Sequence, residues 1–476
     1  MQAQHFIGNR WLSPDSGLRI KMFDPSDGQP FAEIARGNTT DINVAVNAAR
    51  KAFDTVWSPL TPLARARALT RIAHVLSAHE AELTALESRD TGKPVAQARR
   101  DVRGLIRYFE FYAGAVDKLH GDTLPSAPGR TVMTVREPHG VTGHILPWNY
   151  PLQIFGRSVA AALAAGNCCV VKPAEDACLS LLRVAELCAE AELPEGVLNI
   201  VTGYGHEAGA ALARHAGVGH LSFTGSPETG RVVAQMAAEH FMPVTLELGG
   251  KSPQIVFADA DVDALVPVVV DSIVASAGQT CSAGSRLLVE RPLYGALLDR
   301  LAMVFESLRV GPAAQDLDCG PLISRKQQQR VWDFLSDAQH AGIAVMAQGE
   351  IVADAPESGY YQAPILLRDV PPAHRVAQEE IFGPVLAAMP FDTEAEALQL
   401  ANGTAYGLAA GIWTRDGARQ LRLARTVRAG QVFVNHYGGG VELPFGGMGQ
   451  SGYGREKGME ALTGFTTLKT ISIHHG

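Results

Sequence analysis

The sequence predicts an α/β protein: a doubly wound parallel sheet followed by a second α/β unit. Three observations lead there. From about residue 141, short apolar runs centred near Ile145, Val170, Ile200, Leu221 and Thr245 alternate with amphipathic stretches, at the roughly 20–30-residue interval of βαβ units. A second alternation starts at residues 254–257. Finally, 46% of the 476 residues are hydrophobic and 19% charged, a balance that buries a core rather than leaving the chain disordered.

The elements follow in order. After a short opening of strands and turns, the first third reads as helices. Asp41 is placed to cap a helix whose apolar face is Ile42, Ala45, Ala49 and Phe53. Thr61-Pro62 opens another, carrying Leu69, Ile72, Leu76, Leu83 and Leu86 at helical spacing, with Gly92 as its stop. Val102, Leu105, Phe109, Tyr112 and Val116 predict a third. In the first alternation the helical stretches are 152–165, 179–191, 207–215 and 228–238. Right-handed crossovers would leave a crevice at the carboxyl ends of the strands. The second alternation runs through a helix at 263–275, a strand at Arg286–Glu290, a helix at 294–308 and a strand at 431–435. Segments 123–136 and Thr466–His474 are β-prone and fit neither alternation, so they are free to pair with each other or with another subunit.

Several classes are disfavoured. The net charge is −8 and no basic run exceeds Arg99-Arg100, so nucleic acid is a poor partner. The most apolar stretches, 159–171 and 264–270, are broken or flanked by Gly166-Asn167, Asp263 and Asp271, well short of the ~18 residues of a membrane span. The opening Met-Gln-Ala-Gln-His lacks the charged region and apolar core of an export signal. Cys168, Cys169, Cys178, Cys188, Cys281 and Cys319 form no C-x-x-C pair and no Cys/His cluster of zinc spacing. The expectation is a reduced, cytoplasmic protein with no metal.

Five stretches are candidates to carry chemistry. Phe223-Thr224-Gly225-Ser226-Pro227-Glu228-Thr229-Gly230 follows a strand and opens a helix, which offers backbone N–H groups to a phosphate or forms an ordinary tight βα turn. Lys172 and Glu175 sit at a strand's carboxyl end, where they could hold ribose hydroxyls or be merely solvated. Cys281 lies among small residues in Ala277-Gly278-Gln279-Thr280-Cys281-Ser282-Ala283-Gly284-Ser285 and is either a nucleophile candidate or an ordinary buried thiol, whereas Cys168, Cys169, Cys178 and Cys188 sit in apolar strand or helix patterns as packing residues. Glu247, between leucines at a strand end, should feel desolvation as a general base does, unless it pairs with Lys251. Asn149, in Pro147-Trp148-Asn149-Tyr150-Pro151, can offer its amide to an oxyanion or cap the helix that follows.

Together these segments resemble the NAD(P)-dependent aldehyde dehydrogenases over nearly the whole chain. Residues 147–151, 172–175, 223–226, 246–253, 278–281, 379–385 and 444–456 (PFGGMGQSGYGRE) occur in that family's order and near its spacing. The resemblance implies Cys281 as nucleophile, Asn149 as oxyanion donor and Glu247 as the base that activates water to hydrolyse a thioester. It implies cofactor contacts from Trp148, Lys172, Glu175, Gly225, Ser226, Gly230, Leu248, Glu380 and Phe382, with Glu175 favouring NAD over NADP. Tyr150, Arg157, Thr280 and Ser282 would meet the aldehyde substrate. The implied organisation is a Rossmann-like cofactor domain (1–121 and 138–246), a catalytic domain (247–450) and a small β-flap for oligomerisation (122–137 with 451–476), in a homodimer or homotetramer.

Two departures bear on the substrate. Where many members carry Trp-Lys, this chain has Arg157-Ser158. Arginine at the first position resembles the succinate-semialdehyde dehydrogenases, where it holds the substrate's distal carboxylate, a contact suited to a guanidinium. That subgroup's second arginine is Ala275 here, and its serine near the final loop falls in the region of Gly440. The alternatives are Arg157 facing a semialdehyde, or Arg157 paired with a carboxylate such as Glu442 and an uncharged or aromatic substrate. Two other readings are a CoA-acylating enzyme, which would lack Glu247, and a non-catalytic nucleotide-binding relative, which would have lost Cys281, Glu247 or Asn149.

Overall fold

Five parallel strands in the spatial order Leu198–Ile200, Cys168–Pro173, Val141–Leu146, His220–Thr224 and Val244–Glu247 form the centre of an eight-stranded sheet in the computed structural model, which describes residues 3–476. Along the sheet the strands run third, second, first, fourth, fifth in chain order, so the winding reverses between Val141–Leu146 and His220–Thr224. At such a reversal the loops leave in opposite directions and open a crevice at the carboxyl ends. Cys168, Cys169, Val170 and Val171 are all fully buried, as expected of a parallel strand covered on both faces. His5–Ile7 and Arg10–Leu12 extend one edge antiparallel.

The second sheet has seven strands, in the order Ala344–Gln348, Ile365–Arg368, Val385–Phe391, Arg286–Glu290, Pro253–Val256, Ala409–Trp413 and Gln431–Val434, parallel except for the first. Two separate apolar cores result, one centred on each sheet. Of the pairings left open for 123–136 and the tail, the structure shows the one within the chain. Thr466–His474 pairs antiparallel with Arg130–Pro138 over nine residues, and Thr123–Leu124 adds a third strand.

The structure departs from the expected boundaries in three places. Residues 451–476 do not all join the flap. Gly452–Tyr453 pairs with Leu246 and Glu247 on the far edge of the first sheet, and Ala461, Leu462 and Phe465 pack into the first core. The first helix is capped by Asn38, not Asp41: Asn38 accepts the N–H groups of Thr40 and Asp41, and Asp41 accepts that of Asn38 at 2.9 Å. This reciprocal arrangement satisfies donors at both positions. The long helix expected from Thr61 to Gly92 is two, Pro62–Ala78 and Glu80–Thr91, broken at His79, whose ring meets the Val75 carbonyl at 2.9 Å. Gly92 ends the second in the left-handed conformation.

Candidate active site

Cys281 is presented by a strained turn. After helix Val262–Val274, Ser276, Ala277 and Gly278 all adopt positive φ, of 53°, 54° and 72°, a region costly for residues other than glycine. Hydrogen bonds hold it: the Ser276 N–H donates to Gln97 at 2.8 Å, and the Gln279 side chain donates to the Ser276 carbonyl while accepting from the Ile323 N–H, both at 2.9 Å. A Cβ on Gly278 would lie 2.3 Å from the Gly383 carbonyl group, so the loop rests directly on the 379–385 segment. The result is a half-buried Cys281 at the floor of a cleft, while the other five cysteines are buried. Desolvation pushes its thiol up to about 11, and the charge of Arg157 is the main counterweight.

Asn149 precedes helix Pro151–Phe155 but does not cap it; Tyr150 occupies that position without a side-chain bond. Instead Asn149 Nδ2 donates one hydrogen to the Gln279 carbonyl at 2.9 Å, which fixes the amide in the cleft that Cys281 also lines and leaves a second N–H able to donate. Tyr150 and Thr280 meet through their hydroxyls at 2.8 Å, with Lys93 Nζ 3.7 Å from the Tyr150 ring centroid. The Ser282 carbonyl accepts from Tyr437 at 2.7 Å.

Glu247 ends strand Val244–Glu247 and is 1% exposed. Neither of its carboxyl oxygens has a hydrogen-bond partner, and neither has Lys251 Nζ, so the alternative pairing of the two does not occur. Burial raises its proton affinity well above the carboxylate range and Glu456 adds to this, while Arg157, Arg455 and Lys457 oppose it. A buried carboxyl without a partner, in the same cleft as Cys281, is suited to orienting and deprotonating water.

The cleft has a volume of about 820 Å³ and brings together Trp148, Asn149, Gly225, Ser226, Glu247, Cys281, Glu380 and Phe382. Ser226 caps helix Pro227–Ala238 through Thr229, and that helix N-terminus favours a phosphate. Gly230 packs closely on Leu248, since a Cβ there would lie 2.6 Å from the Leu248 side chain. Lys172 and Glu175 pair with each other at 2.9 Å next to Asp176, which lines the cleft. Glu380 accepts the Gly250 N–H at 3.0 Å, and burial raises its carboxyl to about 7. Its carboxylate lies 2.2 Å from where a Cβ on Gly249 would be, so the backbone there is a cradle that a side chain would fill. Phe382, at φ 62°, meets Trp148 edge-on at 5.4 Å. A helix N-terminus, a ribose-sized acidic contact and an aromatic wall along one cleft fit a dinucleotide.

Of the two alternatives for Arg157, the structure shows pairing with a carboxylate, though a different one from that suggested. Arg157 is buried and forms an ion pair with Glu456, not Glu442, and its guanidinium lies 4.9 Å from the Phe445 ring centroid. The pattern of the sequence also missed Gln327 and Arg330. One turn apart on helix Arg325–His340, they donate to the carbonyls of Phe382 and Glu380, each at 2.7 Å. Their spacing on one helix face was readable, but nothing in it pointed to the loop they hold. Among the described residues no group of three or more His, Cys, Asp or Glu could hold a metal, and no helix is long and apolar enough to cross a membrane.

Residues 11–471 match the aldehyde dehydrogenase family. The chain is 41% identical to a hydroxyisobutyraldehyde dehydrogenase of Mycolicibacterium austroafricanum, over 98% of this chain and 93% of that one. A crystal structure of a Burkholderia cenocepacia protein superposes with a TM-score of 0.99 at 70% identity, covering 100% of both chains. The NAD+ complex of an aldehyde dehydrogenase from Bacillus cereus superposes at 0.97 with 37% identity, covering 100% of this chain and 97% of that one.

Proposed function

The chain belongs to the aldehyde dehydrogenase family, and from that premise we propose that it oxidises an uncharged aldehyde to the carboxylic acid with NAD and water. The observation that carries this reading is the convergence of Cys281, Asn149 and Glu247 on the cleft that Ser226, Glu380 and Phe382 also line.

Each residue has a step. The Cys281 thiolate attacks the aldehyde carbon; a C–S bond forms and the carbonyl oxygen becomes an oxyanion. The free N–H of Asn149 and the backbone N–H of Cys281 receive that charge where it develops. NAD, when bound, supplies the acceptor for the hydride that leaves the aldehyde carbon. Trp148, Phe382 and Glu380 would hold its nicotinamide end, and Gly225, Ser226, Lys172 and Glu175 its phosphate and adenosine end. The acyl group then remains on Cys281 as a thioester. Glu247 takes a proton from water, hydroxide adds to the thioester, and the Cys281 sulfur departs as the acid forms.

The choice of an uncharged substrate rests on Arg157. A semialdehyde held by its distal carboxylate would need the Arg157 charge, and Glu456 already neutralises it. Residues 1–121 and 138–246 serve as the cofactor domain and 247–450 supplies the nucleophile. The flap, with its nine-residue pairing, would join subunits of a homodimer or homotetramer, and we place the enzyme in the cytoplasm. The test is NADH formation at 340 nm with aliphatic, aromatic and acidic aldehydes, with and without CoA. CoA-independent turnover that Cys281→Ala abolishes is expected, with neutral aldehydes preferred. A clear preference for succinic semialdehyde that Arg157→Ala removes would restore the carboxylate reading.

A further inference from the structure

The two loops that carry Asn149 and Cys281 are joined by two rungs. Asn149 and Tyr150 are consecutive, and so are Gln279, Thr280 and Cys281. Asn149 Nδ2 donates to the Gln279 carbonyl at 2.9 Å, and one residue along, the Tyr150 hydroxyl meets Thr280 Oγ1 at 2.8 Å. Neither loop has regular structure to hold it. Tyr150 stands at φ −140° and ψ 59° before helix Pro151–Phe155, and Ser276, Ala277 and Gly278 have positive φ. About the first bond alone the Asn149 amide is free to pivot; the second bond removes that freedom.

The Tyr150 ring is itself fixed from behind. Lys93 Nζ lies 3.7 Å from its centroid, within cation–π range. Lys93 pairs with Asp101, the two side chains being 2% and 4% exposed, and Gln153 Nε2 donates to the other Asp101 oxygen at 2.7 Å. Gln153 lies in the helix that follows Tyr150, so the same carboxylate holds that helix and the cation under the ring. Gln97, near Asp101 at the start of helix Val95–Ala115, accepts the Ser276 N–H at 2.8 Å. One end of that helix therefore grips both loops. A buried ion pair stabilises a fold poorly compared with apolar residues of the same volume; what Lys93 and Asp101 add is a fixed place for the ring. Burial holds the Tyr150 proton more firmly than usual, so two neutral hydroxyls make the bridge.

We infer that Tyr150 and Thr280 are a positioning pair, whose hydroxyl bridge fixes the Asn149 amide relative to Cys281. The inference rests on the reading of Asn149 and Cys281 as oxyanion donor and nucleophile. Tyr150→Phe and Thr280→Val each remove one hydroxyl with almost no change in volume. Each is expected to slow acylation of Cys281 by p-nitrophenyl acetate at least about tenfold in cofactor-free protein, because small misplacements at a reacting centre are costly. The readouts are the p-nitrophenolate burst and the acetyl mass on Cys281, with Cys281→Ala as background. In that reaction the sulfur adds to the ester carbonyl, an oxyanion forms, and p-nitrophenolate leaves. The double variant should be no more than about twofold slower than either single one, since both remove the same bond. Thr280→Ser should recover most of the loss, and with Asn149→Ala already in place Thr280→Val should slow acylation no further. Alkylation by iodoacetamide, in which sulfur displaces iodide and no oxyanion forms, should stay within about twofold of wild type. Losses that multiply in the double variant would make the two hydroxyls independent contacts, and equal losses in acylation and alkylation would mean a disturbed thiol. Either result overturns the inference, as does a wild-type acylation rate in a folded variant. Should Thr280→Val fail to fold, Tyr150→Phe breaks the same bond and carries the comparison. A wild type that the ester leaves unmodified defeats the reading of Cys281 and the inference with it; one that is acylated but oxidises no aldehyde defeats only the proposed function.

Discussion

Glu247 shows what one residue's surroundings decide. Its place between two leucines pointed to desolvation, and the structure makes that complete: both oxygens are buried without a partner. Glu247→Gln keeps the shape but cannot take a proton from water. Steady-state turnover should fall by ~10²–10⁴-fold, while one equivalent of NADH still appears in a burst and a thioester accumulates on Cys281, as rapid mixing and mass spectrometry of the quenched protein would show. Arg157 was equally visible in the sequence, but its partner was not. Glu442 lies nearer to the final motif's start, whereas Glu456 is the carboxylate that the Phe445 bridge turns inward.

At the scale of elements, the joints carry the function. The turn before Cys281 passes so close to Gly383 that no side chain fits at 278. Gly278→Ala should therefore displace the nucleophile, with a loss of about 100-fold in kcat/KM for a shift near 1 Å, measurable in a steady-state assay. A second joint fastens strand Val141–Leu146 to the helical segment below it, through His144 Nδ1 and Ser158 Oγ at 2.7 Å. Burial brings the His144 ring down from its ordinary 6.5 to about 3, and His220 is lowered in the same direction. Between those values the folded ring stays neutral while the unfolded one binds a proton, so stability is lost as pH falls from 6.5 toward 3. His144→Gln should flatten that dependence by up to ~1.4 kcal/mol per pH unit, as read by urea denaturation at pH 5 and pH 7. The amphipathic spacing that predicted these helices could not show the break at His79, because a ring-to-carbonyl contact leaves no periodic signature.

In the whole molecule, two sheets with separate cores face one cleft, and the strand after Phe465 crosses back to build the flap with Arg130–Pro138. Among the described residues Thr466–His474 has a partner on one side only, and it exposes Leu468 and Ile473 at 54% and 46%. An uncovered strand edge with apolar side chains is a template for pairing with another chain. The oligomer proposed above should fall to monomer in sedimentation velocity when residues 466–476 are deleted; an unchanged sedimentation coefficient would show that the flap does not join subunits.

The sequence by itself determined the doubly wound layer, the second α/β unit and the β-prone segments that fit neither, because apolar periodicity is a local property. Small residues around Cys281 and leucines around Glu247 made them candidates only, and the resemblance supplied the roles proposed for them and for Asn149. Only the tertiary structure decided which carboxylate neutralises Arg157, that Glu247 and Lys251 stay apart, that Gln327 and Arg330 hold the 380–382 loop, and that Gly452–Tyr453 closes the edge of the first sheet. Each of those contacts joins residues far apart in the chain, or turns neighbours away from one another. Its energy depends on burial and distance, and neither quantity exists until the backbone has folded.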